Sequence, residues 1–207
     1  QEIREHLLSI AAQDGQVQYV SSLIKNGVNP NGSDGSPLML AANSGQVEAA
    51  FALLDAGADP NVMNGSPLVK STGSVAARSG YRMARLLVEY GADVNMCQSQ
   101  AFRHAVSNGR THMVEYLIEI GVDVNAADGE PLILAASKGF DDIVDRLIEA
   151  GANIEAQNNQ ALRIALAKGR SSTVLKLVEA GADLSMISQQ DLQQTSGYRE
   201  QSGSVHN

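Results

Sequence analysis

Apolar and polar positions along the chain repeat as a pair of helices followed by a turn. Residues 36–57 show this pattern most clearly, because an apolar stripe before Gly45 and a second one before Gly57 both recur every three or four residues. The first stripe consists of Leu38, Ala41 and Ala42. The second consists of Val47, Ala50, Phe51 and Leu54. Since glycine commonly ends a helix, the pattern predicts two antiparallel helices, the second longer than the first.

Other stretches of the chain carry the same two stripes. Second-helix stripes are formed by Ile143, Val144, Leu147 and Ile148, and again by Val174, Leu175 and Val178. Pairs of alanines at 11–12, 41–42, 76–77 and 135–136 are assigned to the shorter first helices. Because alanine is small, neighbouring first helices should approach each other more closely than second helices do. We therefore expect a stack that bends, with its first helices on the concave side.

The segment before each first helix has the composition of a tight turn. Residues 31–35 read Asn-Gly-Ser-Asp-Gly, and Asp-Gly favours the positive φ values of a hairpin turn. Ser36 is expected to cap the following helix, and Pro37 to occupy its first position. The pattern predicts a short projecting hairpin, a finger, at the start of each unit.

Six similar five-residue segments, which we call tags, end the units. They run from Gly-Val-Asn-Pro-Asn at 27–31 to Gly-Ala-Asp-Leu-Ser at 181–185, and their glycines are spaced by 30, 34, 30, 30 and 30 residues. A period in this range is typical of a solenoid, in which each unit buries its apolar face only against its neighbours. The repeats are predicted at about 1–31, 32–61, 62–95, 96–125, 126–155 and 156–185.

The third repeat is four residues longer than the others. The excess is assigned to the polar segment 70–74, inside or beside a first helix on the side that lines the groove. Two interpretations stay open, a tolerated loop insertion or a local binding or phosphorylation feature. Lys-Ser-Thr-Gly at 70–73 is not a phosphate-binding loop, because the Gly-x-x-x-x-Gly-Lys order is missing.

Composition narrows the class of protein. Lys and Arg number 15 against 23 Asp and Glu, a net charge of −8 that argues against nucleic-acid binding. A single cysteine, Cys97, fits a reducing, cytoplasmic compartment, and no stretch is apolar enough for a membrane span. Because the chain starts at Gln1, we expect it to belong to a longer protein. Residues 186–207 are expected to form a capping turn followed by a disordered tail or linker.

These segments resemble the ankyrin repeat, whose pattern is Thr-Pro-Leu-His-x-Ala-Ala-x-x-Gly, an amphipathic helix and Gly-Ala-Asp-Val-Asn. The resemblance covers residues 1–185 and is seen best in Ser-Pro-Leu-Met-Leu-Ala-Ala-Asn-Ser-Gly at 36–45 and Glu-Pro-Leu-Ile-Leu-Ala-Ala-Ser-Lys-Gly at 130–139. It implies an all-α ankyrin-repeat solenoid of about six helix–turn–helix repeats with short β-turn fingers. Repeats of 30 residues that open with Gln-Ala-Phe-Arg at 100–103 or Gln-Ala-Leu-Arg at 160–163 look like those of intracellular bacteria and large viruses.

No residue pattern predicts catalysis, a cofactor or a metal site. The four histidines are scattered, Cys97 has no His or Asp pattern around it, and the acidic residues crowd the outer faces of second helices. The tag asparagines, such as Asn61 and Asn95, are interpreted as hydrogen-bonded turn residues, with side-chain hydroxylation as the alternative. The chain is therefore predicted to be a binding scaffold and not an enzyme.

A partner-binding groove is predicted along the fingers and the ends of the first helices. Its candidate residues are Asn43, Ser44, Met63, Lys70, Arg78, Cys97, Ser107, Asn108, Ser137, Lys138, Gln157 and Lys168. They run from neutral or acidic to basic along the chain, whereas the outer face is predicted to be acidic. The natural complement is an acidic or amphipathic protein or peptide, although plain solvation of these positions stays an alternative.

The predicted function is protein–protein recognition through this concave groove, by a monomeric array within a larger intracellular protein. In one alternative, the array is the targeting arm of an enzyme whose catalytic domain lies outside these residues, for example a bacterial effector in the host cytosol. In a second alternative, it is a structural spacer without a partner.

Overall fold

A computed structural model describes residues 2–73 and 77–187, which contain twelve α-helices and no strand. The first helices of the repeats are α1 (Glu2–Gln13), α3 (Ser36–Asn43), α5 (Val62–Gly73), α7 (Met96–Ser107), α9 (Ala126–Lys138) and α11 (Ala156–Ala167). The second helices are α2 (Val17–Lys25), α4 (Val47–Asp55), α6 (Ala77–Glu89), α8 (Thr111–Glu119), α10 (Asp141–Glu149) and α12 (Ser171–Glu179). This alternation confirms the predicted helix pairs.

The chain divides into two compact units, Gln1–Ala105 and Val106–Asn207, with the boundary inside α7. In unit 1, the first helices α1, α3 and α5 pack side by side, and so do the second helices α2, α4 and α6. In unit 2, α9 packs on α11 while α10 packs on both α8 and α12. Within the units, a contact with the second helix of the same repeat is made by α1, α3, α5, α9 and α11, so these repeats bury one face against neighbouring helices, as a solenoid requires.

The first-helix cores follow the predicted stripe. Leu38, Ala41 and Ala42 are fully buried, and the position of Leu38 is filled in other repeats by Leu8, Leu68, Phe102, Leu132 and Leu162. The alanine pairs at 11–12, 41–42 and 135–136 are buried in first helices as predicted. The pair at 76–77 was assigned wrongly, because Ala77 is the first residue of the second helix α6 and residue 76 lies outside the described residues.

Two second-helix side chains that were predicted to be buried are exposed. Phe51 is 50% exposed, because the buried face of α4 is formed by residues 47, 49, 50, 53 and 54, and position 51 lies at its edge. Leu175 is 63% exposed, since α12 buries Thr173 and Leu177 instead. The helical period of the apolar residues was predicted correctly in both helices, but the predicted buried face was wider than the observed one.

The four extra residues of the third repeat lengthen a second helix, not a first one. The regular part of α5, which follows its finger, runs over residues 66–73 and has the same length as α3. The second helix α6 has 13 residues, whereas its counterpart α4 has 9. The prediction that placed the excess at 70–74 in the groove is therefore wrong for residues 70–73, and residue 74 lies outside the described residues.

The fingers are short left-handed turns without strands, and the positive φ values predicted for Asp34 and Gly35 are confirmed. In each of five repeats, three consecutive residues have positive φ and fall in the left-handed helical region. These finger residues are 33–35, 63–65, 97–99, 127–129 and 157–159. Of the twelve non-glycine residues with positive φ in the described part of the chain, seven are neither Asn nor Asp, the two side chains that tolerate this region best.

Ser36 is not the helix cap that the sequence predicted. It is the first residue of α3, and its hydroxyl donates a hydrogen bond of 2.6 Å to the carbonyl of Ser33 in the finger. Ser66 makes the same contact with the carbonyl of Met63, at 2.7 Å. Serine at this position therefore fixes the finger to its own helix, and Pro37 follows within the first turn, where its missing N–H is tolerated.

The tag asparagines join neighbouring repeats. Asn61 donates from Nδ2 to the carbonyl of Gly91 at 3.0 Å and accepts from the backbone N–H of Asp93 at 2.8 Å. Asn31 and Asn125 bind the next tag in the same way. We call this arrangement the asparagine ladder. It supports the interpretation of these residues as hydrogen-bonded turn residues.

We expect Asn61→Ala to lower the free energy of unfolding by about 1–3 kcal/mol, because it leaves a carbonyl and an N–H of the next tag without their partner. The measurement is the midpoint of urea unfolding at unchanged slope. The control is Asn43→Ala, an exposed helix-end residue that should change stability by less than about 0.5 kcal/mol. Equal losses in the two variants would contradict the ladder.

The ladder stops at the fifth tag, which has Glu155 in place of asparagine. After α12, Asp183 accepts the backbone N–H of Ser185 at 2.8 Å and starts a 3₁₀ turn over Leu184–Met186. A turn is found where the capping element was predicted to begin. The predicted disordered tail falls on residues 188–207, which lie outside the described residues, and the repeat boundaries stay predictions.

Candidate binding surface

All twelve predicted groove residues lie at the surface, fully or in part. Three are in fingers, namely Met63, Cys97 and Gln157. Eight lie at or near the ends of first helices, namely Asn43, Ser44, Lys70, Ser107, Asn108, Ser137, Lys138 and Lys168. The exception is Arg78, which lies in the first turn of α6. Its assignment to the end of a first helix is wrong, because Gly80 is a buried residue within α6 and does not end a first helix.

Successive fingers contact each other within a unit. The Cys97 thiol donates to the carbonyl of Asn64 in the preceding finger, at 3.8 Å. In unit 2, Gln157 Nε2 donates to the carbonyl of Asp128 at 3.1 Å. Both side chains are exposed, but the Cys97 sulfur and the Gln157 amide nitrogen are each fixed by a hydrogen bond. The finger surface is therefore already ordered.

Charge at the first-helix ends differs between the two units. In unit 2, Lys138 ends α9 and Lys168 follows α11, and both are exposed and 30 residues apart in the same register. The same position, one residue before the glycine, is filled by Asn108 in the first repeat of unit 2 and by Asp14 and Ser44 in unit 1. The change of charge along these positions stays a prediction about the partner's chemistry.

Lys70 lies beside a partly buried histidine. The Nδ1 of His104 on α7 and the hydroxyl of Thr72 on α5 are 3.0 Å apart. Burial lowers the pKa of His104, and the nearby charge of Lys70 lowers it further. The imidazole covers Gly73, where any Cβ would overlap its ring. This pair packs α5 on α7, and its chemistry is structural.

The second helices also differ in charge between the units, which corrects the prediction of an acidic outer face. In unit 2 the prediction holds, since seven acidic residues stand against two basic ones: Glu115, Glu119, Asp141, Asp142, Asp145, Glu149 and Glu179 against Arg146 and Lys176. In unit 1 it is wrong, since four basic residues stand against three acidic ones: Lys25, Arg78, Arg82 and Arg85 against Glu48, Asp55 and Glu89.

The acidic second helices of unit 2 are partly neutralised by ion pairs. Arg146 Nε donates to Glu115 Oε1 at 3.0 Å, and Lys176 Nζ lies 2.6 Å from Asp145 Oδ2. Both pairs join neighbouring second helices and are partly exposed, so solvent screens the attraction and each pair adds little to stability. These carboxylates serve packing between repeats, and we assign them no acid–base role.

An apolar groove on the second helices of unit 1 was not predicted from the sequence. It lies between α2, α4 and α6, next to the half-exposed ring of Phe51. The greater length of the third repeat is the sequence feature that could have indicated this surface. Its extra turn adds Arg78 to the exposed arginines of α6.

The described residues contain no group of three or more His, Cys, Asp or Glu side chains that is able to hold a metal ion. No helix in the described ranges is long and apolar enough to cross a membrane. Residues 2–73 and 77–187 carry ordered fingers, charged first-helix ends and an apolar groove, features that suit the binding of other macromolecules.

A solenoid of stacked helix pairs joined by tags and an asparagine ladder is the architecture of a repeat-protein scaffold. Sequence profiles described as "Ankyrin repeats (3 copies)" and "Ankyrin repeats (many copies)" match residues 2–64 and 105–187, and residues 74–118, respectively. The chain belongs to the ankyrin repeat family. No curated protein sequence matches it.

Solved ankyrin repeat domains have the same fold. The human ASB11 domain is 25% identical, with 89% of this chain and 90% of that chain covered and a TM-score of 0.74. A domain from Acinetobacter baumannii AYE is 27% identical, with coverages of 86% and 100% and a TM-score of 0.73. The domain of Bcl-3, described as a unique member of the IkappaB family, is 24% identical, with coverages of 92% and 97% and a TM-score of 0.72, and shows the fold alone.

Ankyrin repeat domains are in general protein–protein interaction modules, and their fold is typically a non-catalytic scaffold. The twelve candidate residues stay a prediction, with Arg78 now placed on a second helix.

Proposed function

We propose that the chain recognises a partner protein through the surface formed by its fingers and first-helix ends, acting as a monomeric scaffold. The observation that carries the proposal is the pair Lys138 and Lys168, two exposed charges in the same register of neighbouring repeats in a chain of net charge −8. Family membership supports protein binding in general. The local sign of charge favours an acidic segment of the partner at this part of unit 2.

The ordered fingers favour the same surface. Met63, Cys97 and Gln157 project from left-handed turns whose backbone is already fixed. A partner that binds there does not have to order a flexible loop, so less conformational entropy is lost on association. Recognition should depend on a few of these side chains, with the rest of the surface nearly neutral in energy.

The partner can be trapped with a photo-crosslinking amino acid placed at Met63 or Gln157 and, for comparison, at Glu119 on the second helix α8. We expect the finger positions to capture a defined protein and Glu119 to capture none. The captured protein is then produced in pure form for affinity measurements. Capture only at Glu119 would place the partner on the second helices and refute the proposed surface.

Reversing the charge of Lys138 and Lys168 together, as Lys138→Glu with Lys168→Glu, should weaken binding of this partner by about 2–5 kcal/mol at low salt and by less at high salt. Stability should change little, because both side chains are exposed. The matched control is Lys25→Glu with Arg85→Glu, which makes the same change in net charge at exposed residues of second helices. Equal weakening by both double variants would show a dependence on net charge alone.

A further inference from the structure

We propose that the second helices of unit 1 form a separate docking surface for an acidic amphipathic helix of a partner protein. The surface is a shallow groove of about 530 Å³ between α2, α4 and α6. Its apolar lining includes Ile24, Val47, Phe51, Ala52 and Leu86. A volume in this range accommodates a few large side chains. The inference is independent of the function proposed for the fingers and first-helix ends.

Phe51 provides the apolar anchor of the groove. Its ring meets the ring of Tyr90 edge-on, with centroids 6.2 Å apart and planes at 87°, yet half of the side chain faces solvent. The chain has only three phenylalanines. Leaving half of one exposed beside a groove forgoes the free energy that burial of its ring would provide. Aromatic anchors of this kind dominate the energetics of many interfaces.

Charged residues of both signs line the groove, namely Lys25 and Arg82 with Glu48 and Asp55, so it is the arginines of α6 beside the groove that indicate the chemistry of the occupant. Arg78, Arg82 and Arg85 follow one another at i, i+4 and i+7 and form an exposed stripe along α6. Arg82 lines the groove and donates from Nη2 to Glu48 Oε1 at 2.9 Å. Arg78 and Arg85 make no ion pair within residues 2–73 and 77–187. They are available to carboxylates of a partner.

Glu48 does not cancel this stripe. The pKa of Glu48 lies below its usual value, first because a backbone N–H of its own residue donates to the carboxylate and next because Arg82 does. The Glu48 carboxylate is therefore ionised near neutral pH, and it forms its ion pair with Arg82. Within the described part of the chain, the charges of Arg78 and Arg85 on α6 are left without a neutralising partner. An amphipathic helix with large apolar side chains toward Phe51 and carboxylates along the edge facing α6 complements this arrangement.

The probe for this surface is a fluorescein-labelled amphipathic helical peptide of Leu, Ala and Glu, with leucines on one face and glutamates along one edge. Its control is the same peptide with lysine in place of every glutamate. We expect the glutamate peptide to bind the full chain in fluorescence polarisation at low salt, and the lysine peptide to bind at least about tenfold more weakly. Equal binding of the two peptides would overturn the proposal.

Two variants test the site. Phe51→Ala and, separately, Arg78→Glu with Arg85→Glu should each weaken binding of the glutamate peptide about tenfold, and the second effect should shrink as salt is added. Met63→Ala is the matched control, because Met63 is also 50% exposed but lies in a finger. It should leave the peptide affinity unchanged, as should Lys138→Glu with Lys168→Glu.

Unchanged binding in Phe51→Ala, with circular dichroism showing a folded chain, would refute the groove as the site. Loss of peptide binding in Met63→Ala would move the site to the fingers and refute it as well. If sedimentation instead shows that the chain self-associates and that Phe51→Ala abolishes this, the occupant is a second copy and the proposed partner is wrong.

Discussion

Phe102→Ala is expected to lower the free energy of unfolding by about 3–5 kcal/mol, the largest effect that we predict for a single truncation. Phe102 is fully buried in α7, at the position where the other repeats carry leucine. Truncation to alanine leaves a cavity between stacked first helices, and the neighbouring helices recover only part of the lost contact. The measurement is urea unfolding followed by circular dichroism.

The matched control for Phe102→Ala is Phe51→Ala, since the same atoms are removed from a side chain that is half exposed. That variant should lose no more than about 1 kcal/mol. Phe102→Leu should recover most of the stability, because it restores the residue found in the other repeats. Similar losses in Phe102→Ala and Phe51→Ala would contradict the burial described for α7.

Gly35→Ala is expected to destabilise the chain by about 2–5 kcal/mol, as the sum of a backbone and a packing cost. Gly35 has φ 80° and ends the first finger, and a Cβ there would overlap the side chain of Val62 in the next repeat. The left-handed conformation costs about 1–2 kcal/mol for alanine. Displacing Val62 accounts for the remainder.

Gly57→Ala separates these two costs. Gly57 has φ 89°, but nothing lies within 4 Å of a Cβ at this position. It should therefore show the backbone cost of about 1–2 kcal/mol and no more. Thermal or urea unfolding of both variants gives the difference, and a Gly57→Ala loss as large as that of Gly35→Ala would rule out the packing contribution.

The period of the sequence was sufficient to predict the fold. Glycines at fixed spacing marked the ends of helices. Positions equivalent to Leu38 and Ala41 marked the buried face of the first helices, because burial of a helix face repeats every 3.6 residues. The repeated five-residue sequence identified the tags, whose asparagines join neighbouring repeats in the structure. These features depend on local spacing, which is why the sequence alone reveals them.

Features that depend on neighbouring repeats were not predicted correctly. Phe51 lies at the edge of its stripe, and whether it is buried depends on how closely α2 and α6 approach α4. The left-handed fingers include Met63 and Cys97, which have no intrinsic preference for positive φ, so packing between fingers decides their conformation. The prediction for Arg78 is wrong because glycine does not always end a helix, and Gly80, two residues further on, lies buried inside α6.

The extra turn of α6 has a consequence for how such arrays change during evolution. Four added residues rotate a helix by about 40° beyond one full turn, so Met83 and Leu87 still face the core, where both are fully buried. An insertion of two residues would rotate the following segment by about 200° and turn that apolar face to solvent. Second helices of this chain can therefore lengthen by whole turns. Insertions or deletions in a second helix that do not correspond to whole turns would expose its apolar face, and we expect selection to remove them because the protein would not fold.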